Sequence, residues 1–292
     1  MTKDRRPLFR IIKGLFIQRC SLFKKDKFMK YNFTIDLITK EEAIKMIQTY
    51  HYSNTLPRIN KYFLGCFLDS KLVGCITLGY GTRPKHTIQC LFDNLDTSDY
   101  LEIGRMCMTD SMPRNSESQM LKAAIKWIKQ NIPIKVLFTW ADGMLGKCGY
   151  VYQASNFIYA GTSDSDIYLF EGYKIHPRQT RDLFKKDDND TRLSIRPTIQ
   201  QMKEYHVQRY KGHQFKYLYL LGNHKEKKEL LNHATFTSLP YPKKKDLTWK
   251  TYNLDLKKWV SSSMPPYKTD FNQSINKKIL IKLMKKKRNE TE

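Results

Sequence analysis

Between residues 100 and 161 the chain changes its hydrophobic period several times, and polar residues collect at each change. Leu101, Ile103, Arg105 and Cys107 recur every second residue, the spacing of one face of a β-strand. Leu121, Ala124, Ile125 and Ile128 recur at helical spacing, between Pro113-Arg114-Asn115 and a closing Pro133. Residues 134–141 are strand-like again and end in Asp142-Gly143. Residues 146–155 read as a short helix, and strands follow at 157–159 and 167–170. Such alternation calls for an α/β domain, a mixed central sheet flanked by helices.

The flanking sequence extends this pattern. Residues 32–38 alternate as a strand, and Thr39-x-x-Glu42 is a capping box that opens a helix over Ala43, Ile44 and Ile47, ending near His51. Two apolar β-rich runs, 62–68 and 72–78, flank Asp69-Ser70-Lys71 as a hairpin, with Gly65 and Gly74 marking bulges or close packing. Residues 79–86 read as a polar loop, 173–203 as an insertion or linker with an acidic patch at 187–190, 215–221 as a strand, and 224–232 as a helix with a solvated KEKKE face. The expected organisation is a basic amphipathic arm (1–30), a catalytic domain (31–243) and a Lys-rich tail (244–292).

Charge narrows the partner. Lys and Arg outnumber Asp and Glu by 52 to 28, a formal net charge of +24 over 292 residues. That excess favours a polyanion, nucleic acid above all, although ribosomal and membrane-surface proteins share it. Cys20, Cys66, Cys75, Cys90, Cys107 and Cys148 form no zinc-type spacing, and a reducing compartment suits them. No apolar run is long enough to span a bilayer.

Several residues are candidates for a site. Arg105 stands among apolar neighbours and needs a carboxylate, a carbonyl or an anionic ligand, so it is either half of a structural bridge or a ligand contact. Asp142 closes a strand, where ligands of open α/β sheets gather, yet Asp-Gly is also a common turn. Tyr152, Ser155 and Asn156 would share a helical face and either contact a substrate or end the helix. Asn115, Ser116 and Ser118 begin the central helix, whose first amides attract anions, unless Asn115 is a plain cap. His51, near Tyr52 and Asn54, is a base or a bystander, and Tyr52 and Tyr159 are candidate stacking surfaces for a base. G-x-S-x-G, Walker and H-E-x-x-H signatures are absent.

LEIGRMCMTDSMPRNSES, FTWADGMLGKCGYVYQASNFIYAG and HYSN together resemble the bacteriophage Mom family of DNA-modification proteins, which are similar in fold to GNAT-type acetyltransferases. KYLYLLGNHKEKKELL and LPYPK resemble the C-terminal part of related phage proteins. The resemblance implies a GNAT-like enzyme that places a methylcarbamoyl group on the exocyclic amine of adenine in DNA, protecting phage DNA from host restriction in the host cytoplasm. By motif position it implies His51, Arg105, Ser118, Asp142 and Tyr152 as functional residues, with DNA as partner. Residues 110–118 depart from the acetyltransferase pyrophosphate loop, since they hold no glycine and Pro113 removes an amide donor. The donor is therefore left open: acetyl-CoA or a related molecule is one possibility, and no metal is assigned or excluded. An N-acetyltransferase acting on a protein or small amine and a non-enzymatic nucleic-acid binder are the alternatives.

Overall fold

The computed structural model describes residues 30–53, 56–57, 59–81, 83–170, 173–175, 184, 195–263 and 265. The expected arm, except its last residue, and the acidic patch at 187–190 lie outside them. The chain divides into two compact units, Met1–Asn32 and Phe33–Glu292, and all the elements below belong to the second.

β1 (Thr34–Leu37) leads into α1 (Lys40–Tyr50) through the capping box: Thr39 Oγ1 accepts from the Glu42 amide at 3.2 Å, and the Glu42 carboxylate accepts from the Thr39 amide at 2.8 Å. β2 (Ile59–Leu68) and β3 (Lys71–Tyr80) form the hairpin, turning through Asp69 and Ser70 at positive φ, the backbone twist that matches paired strands. The stretch expected as a loop over 79–86 instead completes β3 and starts α2 (Pro84–Gln89), where Pro84 occupies a first-turn position that needs no amide donor. β4 (Tyr100–Met108), α3 (Ser116–Asn131) and β5 (Val136–Asp142) follow as the sequence implies. After them come α4 (Tyr150–Gln153), β6 (Ile158–Phe170), β7 (Tyr173–Ile175), α5 (Ile199–Glu204), β8 (Gln208–Leu220) and α6 (His224–Asn232). β9 (Trp249–Asn253) and β10 (Lys258–Ser262) form a last hairpin.

Among the described residues one sheet runs β1-β2-β3-β4-β5-β8-β6-β7, with β9 added to β8 and β10 to β9. The result is a mixed α/β fold with a central sheet and helices, as expected. One face carries α3, whose Met120, Leu121, Ala124, Ile125 and Ile128 pack on Leu64, Ile76, Leu101, Ile103 and Leu137. The other face carries two clusters, Met46 and Ile47 of α1 on Cys75 and Cys107, and Ile88, Phe92 and Leu230 on Tyr100, Phe138 and Leu218. Cys75 and Cys107 remain thiols, their sulfurs 3.7 Å apart. The stretch expected as a Lys-rich tail holds strands: Trp249, buried with Met144, Ile167 and Leu169, ties the β9–β10 hairpin to the sheet. Lysines interrupt the apolar pattern there, which hides the strands from a periodicity reading.

Two irregularities shape the centre of the sheet. First, the β3–β4 register slips between Thr77↔Arg105 and Leu78↔Ile103, a β-bulge that admits Gly104 as an extra residue. The bulge resets the alternation of side chains. Leu101 and Ile103 pack on the α3 face, while Cys107 packs on the α1 face. Arg105, two residues from Cys107, therefore shares the α1 face, not the face of Leu101 and Ile103 that strict alternation implies. Second, β4 and β5 pair in parallel only from Tyr100↔Val136 to Glu102↔Phe138 and then part. Thr139 Oγ1 sits at the fork, 3.2 Å from the Ile103 carbonyl and 3.3 Å from the Tyr152 hydroxyl.

Candidate active site

The fork opens onto a cleft of about 1330 Å³. His51 and Tyr52 enter it from the end of α1, Asn115 and Ser118 from the start of α3, Asp142 and Lys147 from the turn after β5, and Tyr152 from α4. Each comes from the end of an element, where the chain must leave its regular hydrogen bonding and polar groups turn outward.

Arg105 stands behind this wall. Its backbone amide donates to Thr77 Oγ1 at 3.0 Å across the bulge. Its guanidinium donates to the Gly104 carbonyl at 2.7 Å and to Ser53 Oγ at 3.1 Å. Burial depresses its pKa, while Tyr52, Asp142, Glu102 and Tyr152 act electrostatically to hold the proton. Those interactions set Arg105 and Asp142 within one electrostatic neighbourhood. Asp142 also caps the turn that follows it, its Oδ1 accepting from the Met144 amide at 3.0 Å. The carboxylate is thus held by its turn where it lines the cleft.

Burial and the nearby Arg105 charge push His51 down to about 4, leaving it neutral at physiological pH. Its Nδ1 lies 2.9 Å from both the Ser53 amide and the Ser53 carbonyl, so Ser53 fixes the ring in place whichever nitrogen carries the proton. The ring stacks on Tyr52 at 4.2 Å between centroids, and Lys147 Nζ lies 3.9 Å from the Tyr52 centroid. Burial lowers the Lys147 pKa, against the opposing pull of Asp142 and Glu117. Burial raises the pKa values of Tyr52 and Tyr152, so both phenols keep their protons.

Ser118 Oγ donates to the Asn115 carbonyl at 2.9 Å, which leaves the hydroxyl oxygen free to accept. Asn115 adopts a left-handed conformation (φ 72°) and makes no side-chain cap hydrogen bond. The start of α3 therefore faces the cleft without the usual cap, with Arg114 beside it. Among the described residues no group of three or more His, Cys, Asp or Glu side chains could hold a metal ion.

Besides Arg105, four candidates lie away from the cleft lining. Ser116 and Ser155 are buried, and Tyr159 packs in the core against Phe215 and Tyr217. Asn156 is exposed at φ 61°, the left-handed conformation that ends a helix. α4 spans only Tyr150–Gln153, so the shared helical face expected for Tyr152, Ser155 and Asn156 never forms. Asn54 lies outside the described residues.

The structure adds residues that the sequence reading missed. Glu102, on the Arg105 side of the sheet, is pushed up to about 7 by burial, with Arg105 opposing. Its signal was its place in LEIGR, three residues from Arg105 and on the opposite alternation from Leu101 and Ile103. Lys147 carried no signal beyond a polar Gly-Lys-Cys-Gly stretch.

Residues 32–243 match the model of the Mom protein family. The chain is 32% identical over 202 residues to a methylcarbamoylase, mom, of Escherichia phage Mu, which spans 69% of this chain and 80% of that relative. Among solved structures, an N-acetyltransferase from Staphylococcus aureus Mu50 aligns with a TM-score of 0.36 and 15% identity over 65% of this chain and 99% of its own. A GNAT-family N-acetyltransferase from Escherichia coli in complex with CoA aligns with a TM-score of 0.31 and 8% identity, over 43% of this chain and 68% of its own. Overlaps this low say nothing about ligand or reaction. The match over 32–243, together with the identity to the phage Mu protein, makes the chain a member of the Mom protein family.

Proposed function

We propose that this transferase modifies the exocyclic amine of adenine in DNA with a methylcarbamoyl-type group, and that in the host cytoplasm the modification shields phage DNA from restriction. The family and its methylcarbamoylase relative support the reaction class. The observation that carries the reading is one cleft lined by His51, Tyr52, Asp142 and Tyr152, with Arg105 in the electrostatic reach of the Asp142 carboxylate.

The adenine amine is a weak nucleophile locked inside a stacked duplex, so it must be extruded or presented on a single strand. In the reaction a bond forms between that nitrogen and the transferred group, the nitrogen gives up a proton, and the donor's leaving group departs. Asp142 accepts the proton or the hydrogen bond of the amine. Arg105, set behind the lining, acts through its field on negative charge developing on the donor. Tyr152, which keeps its proton, protonates the leaving group. Neutral His51 and the Ser118 hydroxyl orient the reactants.

An anionic donor of the acyl-CoA type fits the uncapped start of α3, with Asn115, Ser118, Arg114 and Lys147 nearest to it. The cleft exceeds the roughly 300–1,000 Å³ of a small-molecule pocket, which leaves room for a base beside a donor.

Mass spectrometry of nucleosides from host DNA after expression tests the reading. Wild-type protein should yield a modified deoxyadenosine. Asp142→Asn and Arg105→Lys should each cut its yield by about a hundredfold or more while the melting temperature holds. Wild-type yield in a folded variant would remove that residue from the mechanism, and an unmodified profile with soluble wild-type protein would end the proposal.

A further inference from the structure

Where the family match ends, at residue 243, a run of exposed cations begins. Lys243, Lys244, Lys245, Lys250, Lys257 and Lys258 are all exposed. The two aspartates in the same stretch are already engaged: Asp246 accepts from the Lys243 amide, and Asp255 pairs with Lys203. Six lysines against two aspartates leave residues 243–262 with a net positive charge.

This stretch is fixed to the cleft. Lys244 lines it. Five residues on, the Trp249 indole donates to the Gly143 carbonyl at 2.9 Å, one residue after Asp142. Trp249 is only 9% exposed and packs on Met144. β9 then pairs with β8 at Tyr210↔Thr251 and Lys211↔Lys250, which makes the hairpin a rigid continuation of the sheet. Lysines on a rigid hairpin anchored beside the cleft have a defined position relative to it, unlike lysines on a flexible tail.

We propose that residues 243–262 are a track for the DNA backbone, holding the strand that leads into the cleft. The track rests on reading the substrate as DNA. It contacts phosphates and carries no base specificity, so it acts on affinity and its salt dependence and leaves turnover untouched.

The test compares two triple variants of the full chain, one with Lys250, Lys257 and Lys258→Gln, the other with Lys225, Lys227 and Lys228→Gln on α6. Both lose the same charge. Affinity for a short fluorescent duplex is measured by anisotropy over a salt series. The hairpin variant should flatten the slope of log affinity against log salt by about 2–3 and weaken binding at physiological salt roughly tenfold. The α6 variant should keep the wild-type slope, and turnover at saturating DNA should stay within about twofold in both. Single Lys→Gln variants, each flattening the slope by about 0.9, keep the proposal testable if the triple variant misfolds. A wild-type slope in the hairpin variant, or an equal loss in the α6 variant, overturns the track. Wild-type protein that leaves every nucleoside unmodified yet shows the slope difference ends the transferase reading and keeps the track.

Discussion

Glu102 and His51 titrate in opposite senses around one guanidinium, and the signs can be worked out. Glu102 is raised from 4.5 to about 7, so the folded state holds its proton where the unfolded chain has released it. Its contribution is complete below about 4.5 and is lost as pH rises through 7. His51 is lowered from 6.5 to about 4, so it contributes above 6.5, and that contribution is lost as pH falls through 4. Glu102→Gln removes the buried carboxylate that must ionise, and should raise stability at pH 8 by roughly 1–3 kcal/mol while changing little at pH 4. Urea titrations at the two pH values check this; equal midpoints for wild type and variant at pH 8 would mean that Glu102 ionises at no cost to the fold.

At the scale of elements, the bulge in β4 decides where Arg105 points. A Cβ on Gly104 would stand 2.6 Å from Pro57 Cγ and 3.2 Å from Thr77 Oγ1, the hydroxyl that accepts from the Arg105 amide. Gly104→Ala should therefore cost about 1–3 kcal/mol in thermal stability and, by displacing Arg105, a larger share of activity than that loss explains. Nucleoside yield measured beside the melting curve separates the two effects; full activity in a destabilised variant would show that the bulge serves packing alone. The same element shows what a sequence can and cannot disclose. The Thr39–Glu42 box and the helical spacing of Leu121, Ala124 and Ile125 are local signals, and they read correctly. His51, Tyr52, Asn115, Ser118, Asp142 and Tyr152 were legible because they stand at element ends, and all six line the cleft. A bulge depends on the neighbouring strand, so strict alternation puts Arg105 on the wrong face. Ser155 and Asn156 failed for a related reason: α4 stops at Gln153, before a second turn can align them with Tyr152.

Across the whole molecule, the +24 charge is diffuse in the sequence, and the last hairpin fixes three of its lysines, Lys250, Lys257 and Lys258, to the sheet. That hairpin also covers apolar surface, since Trp249 shields Met144, Ile167 and Leu169. Removing residues 244–292 should lower the melting temperature by several degrees and reduce activity even at saturating DNA, because the turn after Asp142 loses its support at Gly143. A shortened chain that melts and turns over like the full one would place the hairpin outside the working enzyme. The parting of β4 from β5 has its own consequence. Unpaired strand edges invite other proteins to add on, and chains blunt them at the rim of a sheet with charge, proline or short length. Here the edges that part lie between two strands of the same chain, inside the sheet and not at its rim. The molecule can keep an adhesive seam at its centre without the self-association that such a seam would invite at its periphery.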